Sequence, residues 1–245
     1  MQLYIGNKNY SSWSLRPWLV LKAFDLPFEE VKMRLSFTEG SPFKLALEQL
    51  GAPAGKVPVL VDPPQERGED DEEPLVVWDT LAICEYLAEK FHYEALWPAD
   101  ERLRARARSV CAEMHSGFTA LRTHCPMNIE ADLPEVGQRL MVVQEALGAD
   151  LGRIVQMWRG LLTAHGGPWL FGAFSIADAY FAPVCTRIRT YHLPVPEDIL
   201  AYVQRVFELP AMQEWVADAR AEHDFLDFEE PYRTAGDAAT PASPT

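Results

Sequence analysis

Three serines and a tryptophan occupy four consecutive positions in the stretch Asn9-Tyr10-Ser11-Ser12-Trp13-Ser14-Leu15-Arg16-Pro17. The stretch lies between a strand-like run and a helix-like run, where a serine can cap the helix by accepting a free backbone N–H. Capping needs only one of the three. The start of a helix also favours anions, because its unpaired N–H groups and its dipole both attract negative charge. A hydroxyl donor at that point can hold a thiolate. Lowering a thiol pKa from about 8.5 by two units takes ~2.7 kcal/mol. One hydrogen bond to a charged group, worth ~1.5–3 kcal/mol, together with a helix terminus meets that need. From the residues alone, cap and catalyst both stand.

Asp79-Thr80 marks a second helix start, directly after a buried strand. The Thr80 hydroxyl and nearby amides suit a carboxylate, and Asp79 suits an ammonium, so the pair fits an amino-acid headgroup. Asp79 is equally a plain N-cap. A third pattern, Ser175-Ile176-Ala177-Asp178, reads as a capping box, a folding signal with no part in catalysis. The six histidines form no H-x-x-x-H or H-E-x-x-H pair, and none lies at ligand spacing from a cysteine, so no metal site is expected. Cys84, Cys111, Cys125 and Cys185 are widely spaced and read as reduced thiols in or near the core.

The elements that must position these groups follow from periodicity. Leu3–Ile5, Phe28–Met33, Val57–Val61 and Leu75–Trp78 read as strands, and Leu15–Phe24, Pro42–Leu50 and Asp79–Phe91 as helices. The order β-α-β-α-β-β-α describes a small mixed sheet covered by helices. Pro58 lacks a ladder donor and belongs at a strand start or edge, and its bond to Val57 is a candidate cis peptide. The acidic segment Asp62–Pro74 reads as a solvated loop. Past Leu96–Asp100 strand signals almost vanish. Glu101–Arg122 reads as one helix, and Leu133–His165 as one long helix or two broken near Gly148 or Gly152. Further helices start near Ser175, Glu197 and Pro210. The expected organisation is an α/β domain over 1–92, an all-α domain over 99–233 and a disordered tail over 234–245.

The 245 residues carry a net charge of −14, which disfavours nucleic acid and anionic membranes as partners. There is no signal-like N-terminus and no apolar run long enough to span a bilayer, and a cytoplasmic setting is expected.

Five segments in order, "SSWSLRP", "GKVPVL" (Gly55–Leu60), "WDTLAICEYL" (Trp78–Leu87), "ALWPAD" (Ala95–Asp100) and "GAFSIADAYFAP" (Gly172–Pro183), resemble the cytosolic glutathione transferases. The resemblance implies a thioredoxin-like N-terminal domain that binds glutathione and a helical C-terminal domain that supplies the second-substrate pocket. It implies Val57 and cis-Pro58 at the cysteinyl part of glutathione, and Asp79 and Thr80 at the γ-glutamyl end. Lys56, with Lys44 as a further candidate, is implied at the glycyl carboxylate. "SSWSLR" is most similar to the serine-type zeta class, which places Ser11 at the catalytic serine and Trp13 where zeta proteins carry a cysteine. Ser12 and then Tyr10 follow as alternatives. The missing cysteine counts against reductase chemistry, which needs that sulfur, and weakens the reading as a maleylacetoacetate isomerase. Trp13, Met114, His115 and Phe118 are expected around a small hydrophobic electrophile. No cofactor is implied, since glutathione is a co-substrate; a homodimer is. A zeta-like isomerase and a non-catalytic binding module remain as rivals.

Overall fold

The computed structural model describes residues 1–64, 73–91 and 96–238. Most of the acidic loop and the tail beyond residue 238 lie outside the described residues. The first part of the chain runs β1 (Gln2–Ile5), α1 (Ser12–Ala23), β2 (Glu29–Lys32), α2 (Pro42–Gln49), β3 (Val59–Asp62), β4 (Leu75–Trp78) and α3 (Thr80–Lys90). The four strands form one mixed sheet in the order β2-β1-β3-β4. β1 pairs parallel with β2 and antiparallel with β3, and β3 pairs antiparallel with β4. Leu3 and Ile5 alternate into the core, as a half-buried strand requires. Pro58 sits just before β3, where no ladder donor is missed, and the Val57–Pro58 bond is cis.

Helix α1 lies between this sheet and the rest of the molecule, with every residue from Ser14 to Leu21 buried. Pro17 sits inside it and offers no N–H to the carbonyl of Trp13, four residues back. The Thr80 hydroxyl takes that place, donating to Trp13 O at 3.2 Å. A local defect in α1 thereby docks the start of α3.

The second part is helical: α4 (Glu101–Ser116), α5 (Thr119–His124), α6 (Pro134–Val143), α7 (Glu145–His165), α8 (Ile176–Thr190), α9 (Glu197–Glu208), α10 (Pro210–Ala221) and the short α11 (Ala235–Ala238). Two helix breaks differ from the sequence reading, and the tail expected to be disordered from 234 opens with the helical turn α11. The expected single helix Glu101–Arg122 breaks after Ser116: Gly117 is extended and Phe118 is left-handed at φ 54°, which keeps its ring in the core while the chain turns. The new helix start is held by Asp150, whose carboxylate accepts the Leu121 N–H at 3.0 Å. The long segment 133–165 divides at Gln144, and Gly148 and Gly152 stay helical within α7. Gly137 of α6 is needed for close approach, because a Cβ there would lie 1.7 Å from the Tyr191 carbonyl oxygen.

All four cysteines are buried and free, and burial pushes up the pKa of each. Among the described residues no helix is long and apolar enough to cross a membrane.

Lys8 fastens the two parts together. It is 2 % exposed, with Nζ 2.8 Å from Glu30 and 2.6 Å from Asp218 of α10. The same ammonium lies over the rings of Trp18 and Trp215, at 4.6 and 5.3 Å from their centroids. Lys8→Met strands two carboxylates that can still reach water, so the expected cost is about 1–3 kcal/mol. At ~2–4 °C per kcal/mol for a chain of this size, a thermal melt should show a fall of roughly 2–12 °C.

Candidate active site

At the start of α1 the capping reading of Ser11 fails on geometry. Ser11 is the N-cap residue, yet its hydroxyl accepts no backbone N–H. Ser11 Oγ instead lies 2.7 Å from Ser14 Oγ, and Ser14 Oγ accepts the Gly6 N–H at 3.2 Å. Two hydroxyls share one hydrogen bond here, and either can donate, because a hydroxyl proton rotates to suit its surroundings. When Ser14 donates to Ser11, the Ser11 proton is free to point outward.

Ser11 lines a cleft of about 510 Å³ together with Ser12, Trp13, Lys56 and Val57 from the first part of the chain. The helical part adds Thr119, Arg122, Thr123, Met127 and Arg187, and the C-terminal segment adds Glu229. Five of the expected site residues therefore meet in one place. Tyr10 also lines the cleft, but its hydroxyl donates to Glu230 Oε1 at 2.8 Å. Burial first, then that carboxylate, pushes the phenol pKa up, which removes Tyr10 as an activating group.

The remaining expected residues fall outside this lining. Thr80 is 2 % exposed and its hydroxyl is engaged by Trp13, so its backbone is what remains for a ligand. Asp79 is left-handed at φ 75° and caps α3 by accepting the N–H groups of Leu81 and Ala82. Its other oxygen lies 3.4 Å from His115 Nε2, while His115 Nδ1 is 2.8 Å from the Tyr180 hydroxyl. His115 also packs on Trp13, 5.2 Å between ring centroids, and thus joins Asp79 to the cleft wall without lining it. Lys44 Nζ donates to Gly55 O at 2.8 Å and holds the loop that presents Lys56 and Val57. Met114 and Phe118 belong to the main core and do not reach the cleft. The sequence reading grouped both with His115 around the electrophile, but their side chains are buried in the core while His115 is half-buried.

Sequence reading missed the cations. Arg16 is 1 % exposed; it donates to Tyr180 O at 2.8 Å and to Ser12 O at 3.1 Å, and lies 4.3 Å from the Trp13 ring. Arg122 covers Trp13 at 4.9 Å, and buried Arg187 donates to Cys125 O at 2.8 Å. Burial lowers the pKa of Arg16 to about 9 and of Arg187 to about 10, with repulsion from neighbouring arginines adding to it; both stay charged at neutral pH. Of the three, Arg122 and Arg187 line the cleft, and in a chain of net charge −14 such a local cationic wall favours anions. An arginine inside the apolar run Ile176–Ile188 was the available signal for Arg187. A second depression, of about 580 Å³, runs along α7 beside Arg159 and Thr163; it is open and brings together no candidate site residue.

Residues 10–90 match the family model for the glutathione S-transferase N-terminal domain, and residues 95–218 match that for the C-terminal domain. A maleylacetoacetate isomerase from Pseudomonas aeruginosa is 28 % identical over 86 % of this chain and 91 % of its own. Glutathione S-transferase 1 of Dianthus caryophyllus is 27 % identical over 75 % of each chain. A Burkholderia glutathione transferase homologue solved with bound glutathione has a TM-score of 0.62 and 27 % identity, covering 90 % of this chain and 98 % of its own. With both family models matched in order across most of its length, this chain belongs to the glutathione S-transferase family.

Proposed function

We propose that the chain conjugates glutathione to a small electrophile, with the Ser11 hydroxyl holding the sulfur as thiolate. The observation that carries this is the uncapped Ser11 hydroxyl at the start of α1, in one cleft with Lys56 and Val57. The Val57 backbone next to cis-Pro58 takes the cysteinyl part of glutathione, Lys56 takes the glycyl carboxylate, and Asp79 with the Thr80 backbone takes the γ-glutamyl end. Lys44 acts through its bond to Gly55, as a positioning residue. The helix terminus and the arginines of the cleft wall, Arg122 and Arg187, both favour the anionic sulfur. Bound thiolate then attacks an electrophile resting against Met127 and Arg122, and no covalent enzyme intermediate is needed.

Passage over immobilised glutathione, followed by a conjugation assay with chlorodinitrobenzene, tests this reading. Retention with thioether formation is the expected result. Failure of the chain to bind glutathione overturns it, and retention without turnover of any electrophile leaves a binding module in its place. On the same reading the protein is a cytoplasmic homodimer, and light scattering should return twice the mass of the chain.

A second reading, a glutathione-dependent isomerase, is favoured by Arg122 and Arg187 in the cleft wall, which suit a carboxylate-bearing substrate. The relative from Pseudomonas aeruginosa named as a maleylacetoacetate isomerase supports it as well. An isomerase returns its glutathione, so cis-to-trans conversion of an unsaturated keto acid without loss of free thiol identifies it.

A further inference from the structure

The two matched family segments end at residue 218, yet the chain continues as an arm that folds back over the cleft. The arm is fastened at several points. Leu226 is buried in a small cluster with Tyr10, Leu35 and Phe43. Glu230 accepts the Tyr10 hydroxyl at 2.8 Å and is paired with Arg233 at 2.6 Å. Tyr232 donates to His124 O at 2.7 Å. Between these anchors a single 3-10 turn, Asp227–Glu229, presents Glu229 to the cleft that holds Ser11. Among the described residues the Glu229 carboxyl takes no hydrogen bond.

Resting on the glutathione reading above, we infer that Glu229 is a general acid in this cleft, and that the favoured electrophiles are conjugated carbonyl compounds, which need a proton once the thiolate has added. The thiolate lone pair forms the C–S bond at the β-carbon, and the C=C π pair moves onto the carbonyl as an enolate. The Glu229 carboxyl proton passes to the α-carbon, the enolate pair becomes the new C–H bond, and the carboxylate takes back from solvent the proton that the thiol released on ionising. An aryl halide needs no such donor, because its chloride leaves with the bonding pair.

The charged groups around Glu229 are consistent with this role. Arg187 of α8 favours its anion, Glu230 beside it opposes the anion, and Arg122, Lys56 and Tyr10 line the same cleft. Burial prevails and pushes the Glu229 pKa up to about 7, so much of the population carries the proton at neutral pH. A general acid works best with its pKa near the working pH. Arg187 also restrains the carboxylate left after transfer.

The test compares benzylideneacetone with chlorodinitrobenzene at saturating glutathione, in wild type, Glu229→Gln and Glu229→Asp. The expected result is that the ratio of the two kcat values, enone over aryl halide, falls about tenfold to hundredfold in Glu229→Gln and recovers partly in Glu229→Asp. Wild-type kcat with the enone should fall as pH rises through about 7, and Glu229→Gln should lack that limb. Asp227→Asn, on the exposed part of the same turn, serves as the control and should behave as wild type. An unchanged ratio in Glu229→Gln, with both activities present, overturns the role of Glu229 and leaves the glutathione reading intact. Absence of glutathione turnover with both acceptors in wild type overturns the two together.

Discussion

Asp178→Ala should lower stability by roughly 4 kcal/mol or more, a loss large enough to place it among the few severe classes of substitution. The carboxylate is fully buried and works on both oxygens. Oδ1 accepts the Leu170 N–H and the Tyr202 hydroxyl, each at 3.0 Å. Oδ2 accepts the Ser175 N–H at 3.0 Å and lies 3.3 Å from the Ser175 hydroxyl, and Ser175 Oγ in turn caps Ala177 N. Alanine would orphan two buried amides and a buried phenol, each at ~1–3 kcal/mol, where water cannot substitute. The melting temperature should fall by roughly 8–16 °C. The effect would reach the cleft, because α8 carries Arg187 and packs on α1.

Asp178→Asn separates charge from shape. Burial raises the carboxyl pKa from the ordinary 3.8 to about 6 in spite of its hydrogen bonds. The folded state therefore binds this proton more tightly than the unfolded state does. Its contribution is fully present below 3.8 and is lost as pH rises through about 6. Asparagine does not titrate. The stability advantage of wild type over Asp178→Asn should shrink between pH 4 and pH 7, by an amount on the order of 2–3 kcal/mol. Denaturant titrations at several pH values check this; a difference that stays flat with pH would contradict the raised pKa.

Asp178 was legible in advance because its signal is local: Ser-x-x-Asp before an apolar run determines a helix start wherever it occurs. The order of strands and helices along the first part of the chain and the place of Pro58 were legible for the same reason. Alternation, helical period and a missing donor are properties of short segments. What escaped depended on distant partners. The kink of the chain at Phe118 is stabilised by Asp150, 32 residues away, and the sequence around Met114, His115 and Phe118 could not reveal which of these side chains the core would take. Asp79 and Thr80 were expected as ligand groups, and the structure engages one with His115 and the other with the carbonyl that Pro17 leaves open. Pro17 was visible in the sequence, but its partner 63 residues on was not. Glu229 reaches the cleft only because an arm of ordinary composition folds back across Tyr10.

Ser11→Ala should raise the pKa of bound glutathione by about 1–2 units and leave its affinity nearly unchanged. A hydrogen bond to a charged group is worth ~1.5–3 kcal/mol, and one pKa unit corresponds to about 1.4 kcal/mol. Glutathione's two termini and its cysteinyl backbone would keep their contacts, so the loss falls on the anion. At neutral pH the conjugation rate should drop roughly tenfold to hundredfold in step with the lost thiolate. Thiolate absorbance of the enzyme–glutathione complex, followed against pH, measures the shift directly. Ser14→Ala should give a smaller shift of the same sign. It removes the hydroxyl that links the Gly6 N–H to Ser11, and hydrogen bonds in such a chain polarise one another. Ser12→Ala should change little: its hydroxyl lines the cleft but lacks that support from behind. Should Ser12→Ala raise the thiol pKa while Ser11→Ala does not, the activating hydroxyl is one residue further along α1, and the Ser11–Ser14 pair only closes the turn between β1 and the helix.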